Sequence, residues 1–153
     1  MRHWVPESSR TIVPVIAEIS TAILRRGPEW KWHDRRYLGA AHGDIGIVLQ
    51  LVLTSPKLAT QMEPVLTRLL DKKLPNGNWP VAETATNEKS KELVQFCHGA
   101  PGFVVSLLSL REYLPSLEAR IDEAIQRGQD CIWREGLLTK EPNLCHGIFG
   151  NAL

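Results

Sequence analysis

No stretch of this chain is both long and apolar. The longest, Ile45 to Thr54, is broken by Gln50, and a bilayer-spanning helix needs about 20 apolar residues, so no transmembrane segment is expected. The opening MRHWVPESSR lacks the basic-then-apolar order of a signal peptide. An excess of one charge is also missing. Eighteen basic residues face seventeen acidic ones, a formal net charge of +1, and no basic cluster is denser than LRR, DRR or DKK, so a nucleic-acid partner is not expected. Cysteine is scarce, with three in the chain. An odd number without a secretory signal argues against a disulfide framework and leaves thiols that are reduced, buried, metal-bound or catalytic. The period-two alternation of a strand is hard to find. The protein is expected to be soluble and intracellular.

What is present is repetition. AHGDIG (residues 41–46), CHGAPG (97–102) and CHGIFG (145–150) share the pattern His-Gly-x-x-Gly, with the His residues 56 and 48 positions apart. That spacing fits one helical hairpin per repeat. Each motif runs into an apolar stretch: IGIVLQLVL, PGFVVSLLSL and IFGNAL. The segments RTIVPVIAEISTAILRRG, ATQMEPVLTRLLDKKLPNGNW and SLEARIDEAIQRGQDCIWREG instead carry apolar residues at intervals of three and four, the mark of amphipathic helices. With 153 residues, 43% of them hydrophobic, the chain is long enough for one domain or part of one. The fold class is all-α, with helical hairpins in two layers: the evenly apolar helices inside, the amphipathic ones outside. The motif His and Cys residues then gather at one end of the inner layer.

Thiolate and imidazole together suit zinc. Cys97, His98, Cys145 and His146 could close a tetrahedral structural site. Alternatively Cys97, Cys145 and His146 could bind with the fourth position open, as catalytic zinc requires. Free core thiols beside helix-capping histidines are a third reading. Cys131 lies on the apolar stripe of a helix and is expected in the core. Trp133 and the pair Trp30 and Trp32 are expected between the layers, and Asp34, Arg35 and Arg36 in a solvated loop.

LGAAHGDIGI, NGNWP, FCHGAPG and LCHGIFGNA, in that order, resemble the lanthionine synthetase C-like (LanC-like) family, especially its eukaryotic branch, over about residues 37–153. The resemblance implies part of an (α/α) toroid, the domain spanning 1–153 without the family's N-terminal and C-terminal hairpins. It implies zinc on Cys97, Cys145 and His146, with His98 not a ligand and the fourth position left for a substrate thiol. It implies His42 as an acid or base and Lys140 as a group beside the site, holding an enolate or a glutathione carboxylate. The implied reaction adds a thiol, from glutathione or a peptide Cys, to dehydroalanine or dehydrobutyrine in a peptide or protein, forming a thioether. The implied location is cytoplasmic, or peripheral at the plasma membrane. The alternatives are a non-catalytic zinc- and glutathione-binding module, and a carbohydrate-processing toroid. The last needs two carboxylates across a cleft, and Asp44 is the only acid within the motifs. The chain alone is expected to turn over little.

Overall fold

The computed structural model describes residues 9–84 and 93–152; Leu153, the last of the final apolar run, lies outside them. The chain divides into two compact units, Met1–Trp30 and Lys31–Leu153. In the first, helix α1 (Ser9–Arg26) ends on Arg25 and Arg26, cations that suit the negative end of a helix. Trp30 folds back on it, its indole N–H donating to the Ile23 carbonyl at 2.9 Å.

The second unit is built from hairpins. Helices α2 (Asp44–Thr54) and α3 (Ala59–Asp71) form one. Helices α4 (Ala100–Leu110) and α5 (Glu118–Glu135) form the next. A short helix, α6 (Ile148–Asn151), follows the third motif. The described residues contain no strand, only isolated bridges such as Tyr37 to Ala82, so the fold is all-α as the periodicity predicts. Helices α2 and α4 pack side by side, α3 lies against α2, and α5 against α4. The inner pair buries Ile45, Val48, Leu51 and Val52 from α2 and Phe103, Val104 and Leu107 from α4. The outer pair buries only its stripes, Met62, Val65, Leu66, Leu69 and Leu70 on α3 and Ile121, Ala124, Ile125 and Cys131 on α5. Each large apolar side chain taken fully from water contributes about 1.5–3 kcal/mol. No helix of the described residues is long and apolar enough to cross a membrane.

The tryptophans differ from expectation. Trp133 is 91% exposed and Trp32 63% exposed. Two residues past the buried Cys131, Trp133 stands about 200° around α5 from it, on the far side of the helix from the core. Trp32 sits in a tight turn closed by reciprocal N–H···O bonds with Arg35, at 2.9 and 3.1 Å. The indole that does join the layers is Trp79 of the NGNWP segment, fully buried. It stacks on Phe103 with ring centroids 4.3 Å apart and donates its N–H to the Leu69 carbonyl at 2.9 Å. Trp133 instead lines an open apolar groove of about 600 Å³ with Val105, Leu108, Leu137 and Ile148.

Candidate metal centre

The three motif loops converge because glycine lets them. In each motif the second glycine, Gly46, Gly102 or Gly150, has the carbonyl oxygen six residues upstream lying where a Cβ would stand. Those carbonyls belong to Ala40, Phe96 and Leu144, the residues just before Ala41, Cys97 and Cys145. Each loop is thereby drawn down onto the first turn of the helix that follows it. Neighbouring loops also touch. The Cys97 N–H donates to the Cys145 carbonyl at 3.0 Å, and the Cys97 carbonyl oxygen occupies the place of a Cβ on Gly39.

The second loop is the most heavily braced. Gly99, at φ +118°, takes a conformation that L side chains rarely adopt and has no side chain to cap α4. Asn78 caps it from a distance: its Oδ1 accepts from the Ala100 N–H at 2.7 Å and its Nδ2 donates to the Leu93 carbonyl at 3.2 Å. In the third loop Asn143 Oδ1 accepts from the His146 N–H at 2.8 Å, and Asn151 Nδ2 donates to the Val94 carbonyl at 2.7 Å.

This bracing brings Cys97, Cys145 and His146 together, one ligand atom from each, all within 4.8 Å of one another. Ligands on a tetrahedral zinc at about 2.3 Å stand about 3.7 Å apart, so the group can hold a metal with only slight closure. Cys97 is buried, whereas Cys145 and His146 face solvent. Burial and the neighbouring Cys145 push the Cys97 thiol up to about 11. Two sulfurs crowded in this way need a cation before both can ionise, which fits the donor set to a divalent metal.

His98 stands apart from that group. Its ring lies 4.7 Å from His42 and 5.7 Å from Tyr37, and His42 lies 4.8 Å from Tyr37. Burial, then the charge of His42, lowers His98 to about 4, so it is neutral at pH 7. His42 is exposed and rests edge-on against both rings. Lys140, also exposed, donates from Nζ to Gln95 Oε1 at 2.7 Å.

Arg36 is not a solvated loop residue. Its side chain is 10% exposed, and Nε meets the fully buried Asp44 at 2.8 Å. Arg68 reaches the same carboxylate oxygen at 2.5 Å, and Glu83 lies 3.4 Å from Arg36. Burial raises the Asp44 carboxyl against the pull of both guanidiniums. Nothing in the local sequence marks Asn78, Arg68 or the Arg36–Asp44 pair, because each finds its partner through chain reversal. Gln95 differs: it lies two residues before Cys97, its partner, and that adjacency was the one signal the sequence carried.

A family model for lanthionine synthetase C-like proteins matches residues 5–153. Similar proteins include the Danio rerio glutathione S-transferase LANCL1, 32% identical over 134 residues that cover 80% of this chain and 30% of that protein. Another is the Arabidopsis thaliana LanC-like protein GCL1, 31% identical over 126 residues covering 80% of this chain and 28% of that protein. The chain spans less than a third of the length of either relative. With a match over nearly its whole length, this chain belongs to the lanthionine synthetase C-like protein family.

Proposed function

We propose that this chain carries the zinc-binding, thiol-activating part of a LanC-like site, on an arc of the family's helical toroid. One observation carries the reading: two Cys-His-Gly motifs set three soft donors within 4.8 Å, two of them open to solvent. Cys97, Cys145 and His146 would hold the metal. Bound there, zinc would strip the proton from a thiol, ordinarily near pKa ~8.5, and keep the sulfur nucleophilic at neutral pH.

The thiol-bearing partner is glutathione, in keeping with the name of the zebrafish relative, a glutathione S-transferase, or a peptide Cys. The acceptor is dehydroalanine or dehydrobutyrine in a peptide or protein. Its β-carbon takes the sulfur, its double-bond electrons move onto the carbonyl as an enolate, and its α-carbon then needs a proton. His42, exposed beside the motif Gly43 and propped by Tyr37 and the neutral His98, is the proton donor we assign. Lys140 has two ammonium N–H bonds beyond the one given to Gln95, enough to hold a glutathione carboxylate or the enolate oxygen.

A zinc- and glutathione-binding module without turnover is the second reading. It draws on the exposure of Cys145 and His146, since catalysis by this route gains from a site that excludes water. Carbohydrate processing is disfavoured because Asp44, the motif acid, is consumed by Arg36 and Arg68. X-ray absorption on the zinc-loaded chain tests the proposal. Added glutathione should raise the sulfur count of the zinc shell by one. A shell unchanged by the thiol, with two sulfurs and two nitrogens, would overturn it in favour of a closed structural site.

A further inference from the structure

The two cysteines of the candidate metal centre are not equivalent. Cys97 is 5% exposed and receives a side-chain donor, Gln95 Nε2, at 3.1 Å from its sulfur. Cys145 is open to solvent. Gln95 is itself 5% exposed, and its main chain is fixed by reciprocal bonds with His98 at 3.2 and 3.1 Å. A buried amide has one donor end and one acceptor end, and leaving either unmet is costly.

Lys140 decides which end points where. An ammonium only donates, so its 2.7 Å contact must be to the amide oxygen. The NH₂ group is then turned toward Cys97. Sulfur in a neutral thiol is a weak acceptor, but a metal-bound cysteine is an anion, and a donor to an anion makes a stronger, charge-assisted bond. The arrangement therefore suits Cys97 as a ligand.

We propose that Gln95 is a positioning residue that holds Cys97 in the metal centre through an N–H···S bond, and that Lys140 acts on the metal by orienting the Gln95 amide. This rests on the reading that Cys97, Cys145 and His146 bind metal. Drawing charge from one sulfur makes Cys97 a fixed anchor and leaves Cys145 and His146 as the adjustable ligands on the open side. It also gives Lys140 a role at the centre that needs no substrate.

Cobalt(II) binding to the full chain tests this, with affinity from chelator competition and the thiolate-to-cobalt absorption band as a second readout. Partners of metal ligands typically account for ~10–100-fold in metal affinity. Gln95→Leu should weaken cobalt binding by about that factor and move the band to longer wavelength, as the sulfur lone pair loses its donor. Lys140→Met should do the same to a smaller degree, toward the lower end of that ~10–100-fold range, and Lys140→Arg should restore the parent values. In a Gln95→Leu background, Lys140→Met should change neither readout, because the amide through which it acts is gone. Equal effects of Lys140→Met in both backgrounds would overturn the proposal, as would parent-like affinity and band position in Gln95→Leu. Should Gln95→Leu fail to fold, the surface pair Lys140→Met and Lys140→Arg decides: identical affinity and spectra in both variants and the parent overturn the idea. Cys145→Ala keeps the two questions apart. Cobalt binding that survives it removes the metal-site reading, whereas its loss alongside an unaffected Gln95→Leu removes this inference alone.

Discussion

Gly102→Ala should damage the metal centre by a route that passes through the backbone. The added Cβ would stand inside the van der Waals envelope of the Phe96 carbonyl oxygen and 2.7 Å from the Ala40 Cβ. That oxygen would be 2.0 Å from the Cβ, so to regain ordinary contact at 3.4 Å the carbonyl must retreat by about 1.4 Å. It belongs to the peptide whose N–H, on Cys97, donates to the Cys145 carbonyl, so the same retreat pulls apart the two ligand loops. Overpacking costs about 1–3 kcal/mol and the lost hydrogen bond about 1 kcal/mol, while replacing a helical glycine by alanine returns about 1 kcal/mol. The net expectation is a loss of about 1–3 kcal/mol, from the same estimates, read from urea denaturation of the metal-free chain. Ligand positions in a metal site are held to within about 0.2 Å, so zinc affinity by chelator competition should fall by about 10-fold or more, as it does when a ligand's support is removed. Gly128→Ala is the control. Its Cβ would meet a Val104 methyl at 2.6 Å and, outside its own helix, no backbone atom nearer than 3.9 Å, so it should cost stability and leave zinc affinity intact. Parent-like zinc affinity in Gly102→Ala, or equal loss in both variants, would show that the Phe96–Cys97 peptide does not link helix packing to the ligand loops.

Asn78→Ala removes the remote cap on α4 and the brace on Leu93, and should lower stability by about 1–2 kcal/mol in the same denaturation assay. Cys131, pushed up to about 11 by burial from an ordinary 9, carries ~100-fold less thiolate at pH 8 than an exposed thiol. Iodoacetamide on the folded, metal-free chain should therefore label Cys145 first and leave Cys131 unlabelled until denaturant is added, as peptide mass mapping would show. His42→Ala, in a chain extended to the length of its relatives, should keep zinc and slow thiol addition to a dehydroalanine peptide by about 10²–10⁴-fold. Loss of zinc in that variant would give His42 a structural role instead.

The helices were legible because their signals are periodic and local. The stripe from Met62 to Leu70 predicts α3, and that from Ile121 to Cys131 predicts α5, with the faces they bury. Cys97, Cys145 and His146 were legible as candidates because a repeated motif marks equivalent points on successive hairpins. Composition and spacing left His98 open as a fourth ligand, because the direction a side chain takes from a glycine-flanked loop is set by packing. Here the rings of Tyr37 and His42 engage His98. Arg36 looked like loop decoration for a related reason. Its partner Asp44 is eight residues on, and only the turn of the chain between Tyr37 and Gly43 places the carboxylate under the guanidinium. Trp79 and Trp133 show the same limit: both are large and apolar, and their fates depend on which side of the chain the core occupies.

Zinc content after purification and dialysis separates an open three-ligand metal centre from a closed one and from none. The parent chain, Cys131→Ala and His98→Ala should each hold one zinc per chain, while Cys97→Ala, Cys145→Ala and His146→Ala should hold almost none. Equal retention across the set, or loss in His98→Ala matching that in His146→Ala, would contradict the open three-ligand centre.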